Sequence, residues 1–158
     1  MTIKIVAGFA IVFLCTMFGV NYAKKYGRKR DFYASLENFC AYLKREISFS
    51  STPINSVVKG FRPGDDDLVI MLSSFAENGV VPAEKFPRYL TSDERKFLET
   101  FFAKIGKSDR QNELELVSSF AEEVRGYKET EKTKCVKITG IAAKLGFFAG
   151  AAIFVILL

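Results

Sequence analysis

TSDERKFLETFFAKIGKSDRQNELELVSSFAEEV, residues 91–124, decides how the chain folds. Thr91-Ser92-Asp93-Glu94 has the T-x-x-E form of a capping box, in which a hydroxyl and a carboxylate satisfy backbone N–H groups left open at a helix start. Phe97, Leu98, Phe101 and Ile105 then fall on one side of a helix. Gly106 ends it. Ser108-x-x-Gln111 has the form of a second box, and Leu114, Val117, Ala121 and Val124 face inward from the helix that follows. The pattern predicts two helices joined at a tight corner. That corner contains Gly106-Lys107-Ser108, the closing letters of a phosphate-binding loop. Such a loop also needs a glycine five positions earlier and a strand in front of it. Phe101 stands at that position, in a helical segment. The stretch is therefore a helix corner and not a nucleotide grip.

Helical periodicity continues towards the N-terminus. Phe32, Leu36, Phe39, Leu43 and Ile47 recur at intervals of four, three, four and four, one apolar face of a helix over Asp31–Phe49. Thr52 is placed to cap a second helix with Pro53 at its first position, running to about Lys59 and stopping at Gly60. Asp65, Asp66 and Asp67 precede a third helix, Leu68–Glu77, with Leu68, Leu72, Phe75 and Ala76 inward. Three adjacent aspartates lack the alternate spacing and closing acid of a calcium loop, whereas acids at a helix start complement its dipole. Asn78-Gly79 reads as a stop. Pro82–Tyr89 reads as a short irregular helix limited by Pro87.

The two ends of the chain are of another kind. Ile3–Val20 and Ile138–Leu158 are apolar runs of 18 and 21 residues, each with one charge, Lys4 and Lys144. As helices they extend roughly 27 and 32 Å, close to a bilayer core of about 30 Å. Lys24, Lys25, Arg28, Lys29 and Arg30 follow the first run, and Lys128, Lys132, Lys134 and Lys137 precede the second. Residues 31–127 hold 12 Lys and Arg against 16 Asp and Glu, a balance of −4, while the remainder hold 11 against 2, a balance of +9. The basic character thus belongs to the borders of the apolar runs, as the positive-inside bias predicts for a middle that faces the cytoplasm. Nucleic acid is not the partner this distribution implies. Val20 and Tyr22 spoil a signal-peptidase register, and Phe13-Leu14 before Cys15 does not suit a lipoprotein, so the first run is expected to remain as a membrane helix.

The expectation is an all-α chain: a compact bundle of about six helices flanked by two terminal transmembrane helices. Residues 1–22 and 138–158 would span the membrane, 23–30 and 128–137 would border it, and 31–127 would form the cytoplasmic helical domain. The final helix is expected to run unbroken through KETEKTK into the second span, where Lys144 can snorkel to the cytoplasmic interface or meet a buried acid. Ala142, Gly146 and Gly150 lie on one face as small residues that allow close helix approach within the membrane.

The residue inventory points away from catalysis. The chain has no His and no Cys cluster, which removes zinc, iron–sulfur and Ser/His or Cys/His chemistry. No catalytic residue, cofactor, metal or small-molecule substrate is expected. Cys15, Cys40 and Cys135 are scattered and suit a reducing compartment. Cys40, in the middle of the chain, offers a thiol for testing which side of the membrane that part faces.

Three segments carry a family resemblance. IGKSDRQ, between a Phe-rich helix and a long final helix, resembles an L-G-x-S-D-x-x-x-Q segment of stage III sporulation protein AB. RDFYASLENFCAYLKREISFSSTPINSVV resembles that family's E-I-x-x-x-x-T-P-L-x-E-A turn, with Ile54 in place of Leu and Asn55-Ser56 in place of the usual acidic and small pair. KLGFFAGAAIFVILL resembles its L-G-x-x-x-G-x-x-x-V-I-L-L terminus. The resemblance implies a component of the mother-cell membrane complex that connects mother cell and engulfed forespore in endospore-forming bacteria. It also implies a soluble domain similar to one cytoplasmic domain of the inner-membrane platform proteins of type II secretion and type IV pilus machines. By that likeness the partners would be other stage III proteins, above all a secretion-type ATPase. Lys107, Asp109 and Arg110 at the corner are the candidate docking residues, with capping and dipole compensation as the plainer role. Because the platform proteins carry two such domains and this chain one, a homo-oligomer would supply the second. A pilus, competence or type II-like platform outside sporulation is the alternative.

Overall fold

In a computed structural model, the described backbone covers residues 2–49 and 52–157, and the described side chains are those of 13–14, 17, 27–49, 52–141, 144–145 and 148. Among the described residues there are five α-helices: α1 Thr2–Phe49, α2 Ile54–Gly60, α3 Asp66–Asn78, α4 Ser92–Lys104 and α5 Arg110–Leu157. A 3-10 turn, Ala83–Lys85, lies between α3 and α4. No strand occurs among the described residues, as the periodicity predicts. The chain divides into two compact units, one of residues 1–30 and 130–158 and one of Asp31–Glu129, with both boundaries falling inside α1 and α5.

The Asp31–Glu129 unit holds the core. Phe32, Leu36, Phe39 and Leu43 have no exposed surface and Ile47 very little. Leu68, Leu72, Phe75 and Ala76 of α3, Leu98 and Phe101 of α4, Ile105, and Val117 and Val124 of α5 are buried with them. Phe97, Leu114 and Ala121 pack partly buried against this core. Tyr33, Cys40, Met71, Phe102 and Phe120 are also inside. These helices are packed on more than one side, which widens the buried arc beyond a single stripe. Aromatic rings run through the core in sequence: Phe75 on Phe102, Phe102 on Phe101, Phe101 stacked on Phe120 at 3.7 Å, Phe120 on Phe97, Phe97 on Tyr127, and Tyr127 stacked on Tyr33 at 5.3 Å. Burial, with Glu94 and Glu123 nearby, pushes the Tyr127 hydroxyl above its ordinary range.

Helix starts and stops follow local chemistry, with corrections. Thr91 and Glu94 form the expected capping box. Asp65 caps α3 by accepting from the Leu68 N–H at 3.0 Å, while Asp67 accepts from the Tyr89 hydroxyl at 2.8 Å. Burial raises the Asp65 carboxyl, against the opposing effect of the Leu68 bond. Gly79 closes α3 at φ 70°, the left-handed conformation glycine adopts without strain. Pro53, and not Thr52, occupies the cap position of α2, so the helix starts one residue later than expected, and no side-chain cap bond is made. Gly60 has no positive φ; a side chain there would meet the Tyr42 hydroxyl at 2.8 Å, so close approach and not a left-handed stop explains it.

Among the described residues no helix is long and apolar enough to cross a membrane. Most side chains of the runs expected to span, including those of Ala142, Gly146 and Gly150, lie outside the described residues.

Candidate functional site

The α4–α5 corner is built from within. Ile105 ends α4 in extended conformation, its N–H bonded to the Phe101 carbonyl, and Gly106 follows at φ 83°. The second capping box does not form. Glu113 replaces it: Oε1 accepts from the Gly106 N–H at 2.7 Å and the Ser108 N–H at 3.1 Å. Gln111 donates along the helix to Glu115. The physical reason is that α5 starts at Arg110, so Ser108 is one residue too early to cap it. The Asp109 carbonyl accepts from the Glu113 N–H, and its carboxylate accepts from the Asn112 side chain. Glu113 is only 4% exposed, and its Oε2 is buried with no hydrogen-bond partner. A carboxylate aimed at open N–H groups near a helix start is in its most favourable setting, which is what permits its burial.

The corner also brings two motifs together. Ile54, from the T-P-I segment, lies against Gly106, with its Cβ 3.5 Å from where a Gly106 side chain would begin. Lys107, Ser108, Asp109 and Arg110 are exposed beside that contact. The three docking candidates thus share one outward edge, whereas Glu113, which holds the edge in place, is not legible from the capping pattern. A Glu on the first turn of a helix after a Gly corner is the signal that marks it.

Alongside the corner, α4 and α5 leave a groove of about 390 Å³ floored by Phe97, Phe101 and Phe120 and edged by Lys96, Lys104 and Glu123. The charged residues that line it are two of each sign, Asp93 and Glu123 with Lys96 and Lys104. Among the described residues no group of three His, Cys, Asp or Glu side chains is placed to hold a metal ion. The Cys40 thiol is fully buried and pushed up to about 12, mainly by burial and further by Glu37. It is therefore unsuited to reporting membrane orientation; the half-buried Cys135 is the better reporter.

The other unit has its own charged cluster. Glu131 of α5, 4% exposed, pairs with Lys29 of α1 at 3.6 Å and with Lys134 at 2.8 Å. Arg28, Arg30, Lys132 and Lys137 are exposed around it. Farther along the helices Phe13, Leu14, Met17, Ile141, Leu145 and Phe148 are exposed apolar side chains. Lys144 is exposed, and no carboxylate among the described residues pairs with it.

No curated protein and no solved structure matches the chain. One family model does, over residues 4–66, which comprise most of α1, all of α2 and the turn into α3. The matched stretch includes the T-P-I segment. The corner and the apolar end of α5 lie beyond it. This match points to a role in sporulation, with other proteins of that process as partners. The family that the sequence motifs resemble and the family whose model matches residues 4–66 are the same one: stage III sporulation protein AB.

Proposed function

We propose that the chain is a non-enzymatic membrane scaffold of the complex joining mother cell and forespore, and that its helical domain docks a secretion-type ATPase on the cytoplasmic side. One observation carries the docking reading. At the α4–α5 corner the buried Glu113 carboxylate holds the Gly106 and Ser108 N–H groups, while Lys107, Asp109 and Arg110 are exposed side by side. Exposed charge on a backbone held by hydrogen bonds suits recognition, because less loop freedom remains to be lost on binding. The family match favours sporulation over a platform from another secretion machine.

The test is a pull-down of the ATPase by the full chain. The double variant Lys107→Glu and Arg110→Glu should lose most binding, with helicity by circular dichroism unchanged. Undiminished binding would remove the corner from the interface.

Membrane attachment through residues 1–22 and 138–158 is part of the same proposal. Its support is the exposed apolar row on α1 and α5 next to the basic borders. A membrane-impermeant thiol reagent should reach a cysteine introduced at the exposed Lys107 only from the cytoplasmic side. Self-association is assigned to Ala142, Gly146 and Gly150. Gly146→Leu with Gly150→Leu should lower the association of this segment in a membrane reporter.

A further inference from the structure

We propose that the 28–30 and 132–137 segments form a collar for anionic phospholipid headgroups around the α1–α5 pair. This rests on the membrane reading above. By sequence Glu131 is the sole Asp or Glu of its unit, which carries Lys24, Lys25, Arg28, Lys29, Arg30, Lys132, Lys134 and Lys137 near the same level. The structure buries that carboxylate and pairs it with two lysines, Lys29 and Lys134. Within this unit no other Asp or Glu is left to repel an anionic surface; Asp31 and Glu129 lie just beyond it.

Geometry then separates lipid from an acidic protein. Lys29 and Glu131 mark the line where α1 and α5 meet. At about 100° per residue, Arg28 and Arg30 lie on opposite flanks of α1 relative to Lys29. Lys132 lies about 100° to one side of Glu131, and Lys137 about 120° to the other. All four are exposed. The cations surround the helix pair and are not gathered on one face. A globular acidic partner reaches one face, whereas a layer of headgroups meets the pair on all sides. Ile141 and Leu145, exposed farther along α5, fit the adjoining acyl region. Anionic headgroups attract such a border, and the attraction is screened by salt.

The experiment uses the full chain in phosphatidylcholine vesicles containing phosphatidylglycerol, with one of the two lipids spin-labelled in each sample. Electron paramagnetic resonance then reads the lipid immobilised by protein. The native chain should favour phosphatidylglycerol by on the order of fivefold, declining as salt is raised. Replacing Arg28, Arg30, Lys132 and Lys137 by Gln leaves the Lys29–Glu131–Lys134 cluster untouched and should cut that preference by about threefold or more. Equal immobilisation of both lipids by the native chain would overturn the collar while leaving the membrane reading intact, and would hand the cations to an acidic protein. An undiminished preference in the variant would also overturn it. Absence of an immobilised component with either lipid would overturn the membrane reading and the collar together.

Discussion

Phenylalanine behaves oppositely in the two units. Phe32, Phe39, Phe101, Phe102 and Phe120 of Asp31–Glu129 are at most 4% exposed, whereas Phe13 and Phe148 of the other unit are 65% and 67% exposed. In the first unit helices, turns and caps cooperate to surround these five rings, and Phe49 at the end of α1, 88% exposed, is the exception. In the second, the described apolar side chains Phe13, Leu14, Met17, Ile141, Leu145 and Phe148 are left exposed. Exposed apolar surface on this scale marks a contact with something outside the chain. The lesson is that apolar residues have two solutions, one internal and one external, and that the placement of charge helps to tell them apart. Charges in the first unit cap and pair locally; in the second they gather at a border.

The largest expected effect breaks this comparison if it fails. Leu98→Ala, in the core with no exposed surface, should destabilise the domain by about 2–5 kcal/mol. Leu145→Ala, 64% exposed, should cost less than about 0.5 kcal/mol. Urea unfolding of the full chain in detergent reads both, and equal losses would mean that the two units bury their apolar groups alike.

A pH titration sharpens the point for Cys40. Its pKa is raised from 9.0 to about 12 in the fold, so the folded state favours the neutral thiol. The stability this contributes is fully present below pH 9 and is lost as the pH rises from 9 to 12. Cys40→Ala should flatten that part of the stability profile. At pH 8 an alkylating reagent followed by mass spectrometry should modify Cys135 well before Cys40.

The corner supplies the next comparison. Glu113→Ala leaves the Gly106 and Ser108 N–H groups without their acceptor and should cost about 1–3 kcal/mol. Gln111→Ala should change thermal stability little, since Gln111 reaches only Glu115 on the exposed helix surface. The reverse order would restore the Ser108–Gln111 box. Smallest of all is Lys128→Ala, which removes a partly exposed pair with Glu37 and should cost no more than about 1 kcal/mol.

Much of the fold was legible from spacing. Phe32, Leu36, Phe39, Leu43 and Ile47 declare a helix face because their period is that of the helix itself, and Thr91 with Glu94 declares a start because four residues contain the whole motif. Asp65 and Gly79 act locally and were readable for the same reason. Glu113 was not. Its role depends on where α5 begins, and a one-residue shift in that start moves the cap from Ser108 and Gln111 to a carboxylate two residues farther on. Gly60 reads as a stop in sequence and does end α2, but its close approach to the Tyr42 hydroxyl, distant in the chain, shows only in the fold.

The sequence by itself determined the helical class, most inward faces, and the division between a mixed-charge middle and basic-bordered apolar ends, and it carried the family resemblance. Each of these is written in short-range periodicity or in composition. Only the tertiary structure decided that Ile54 meets Gly106, that Glu131 is buried between Lys29 and Lys134, and that Cys40 is sealed from solvent. The Ile54–Gly106 and Lys29–Glu131 contacts join residues far apart in the chain, and the energetics of all of them depend on which surfaces the packed helices remove from water.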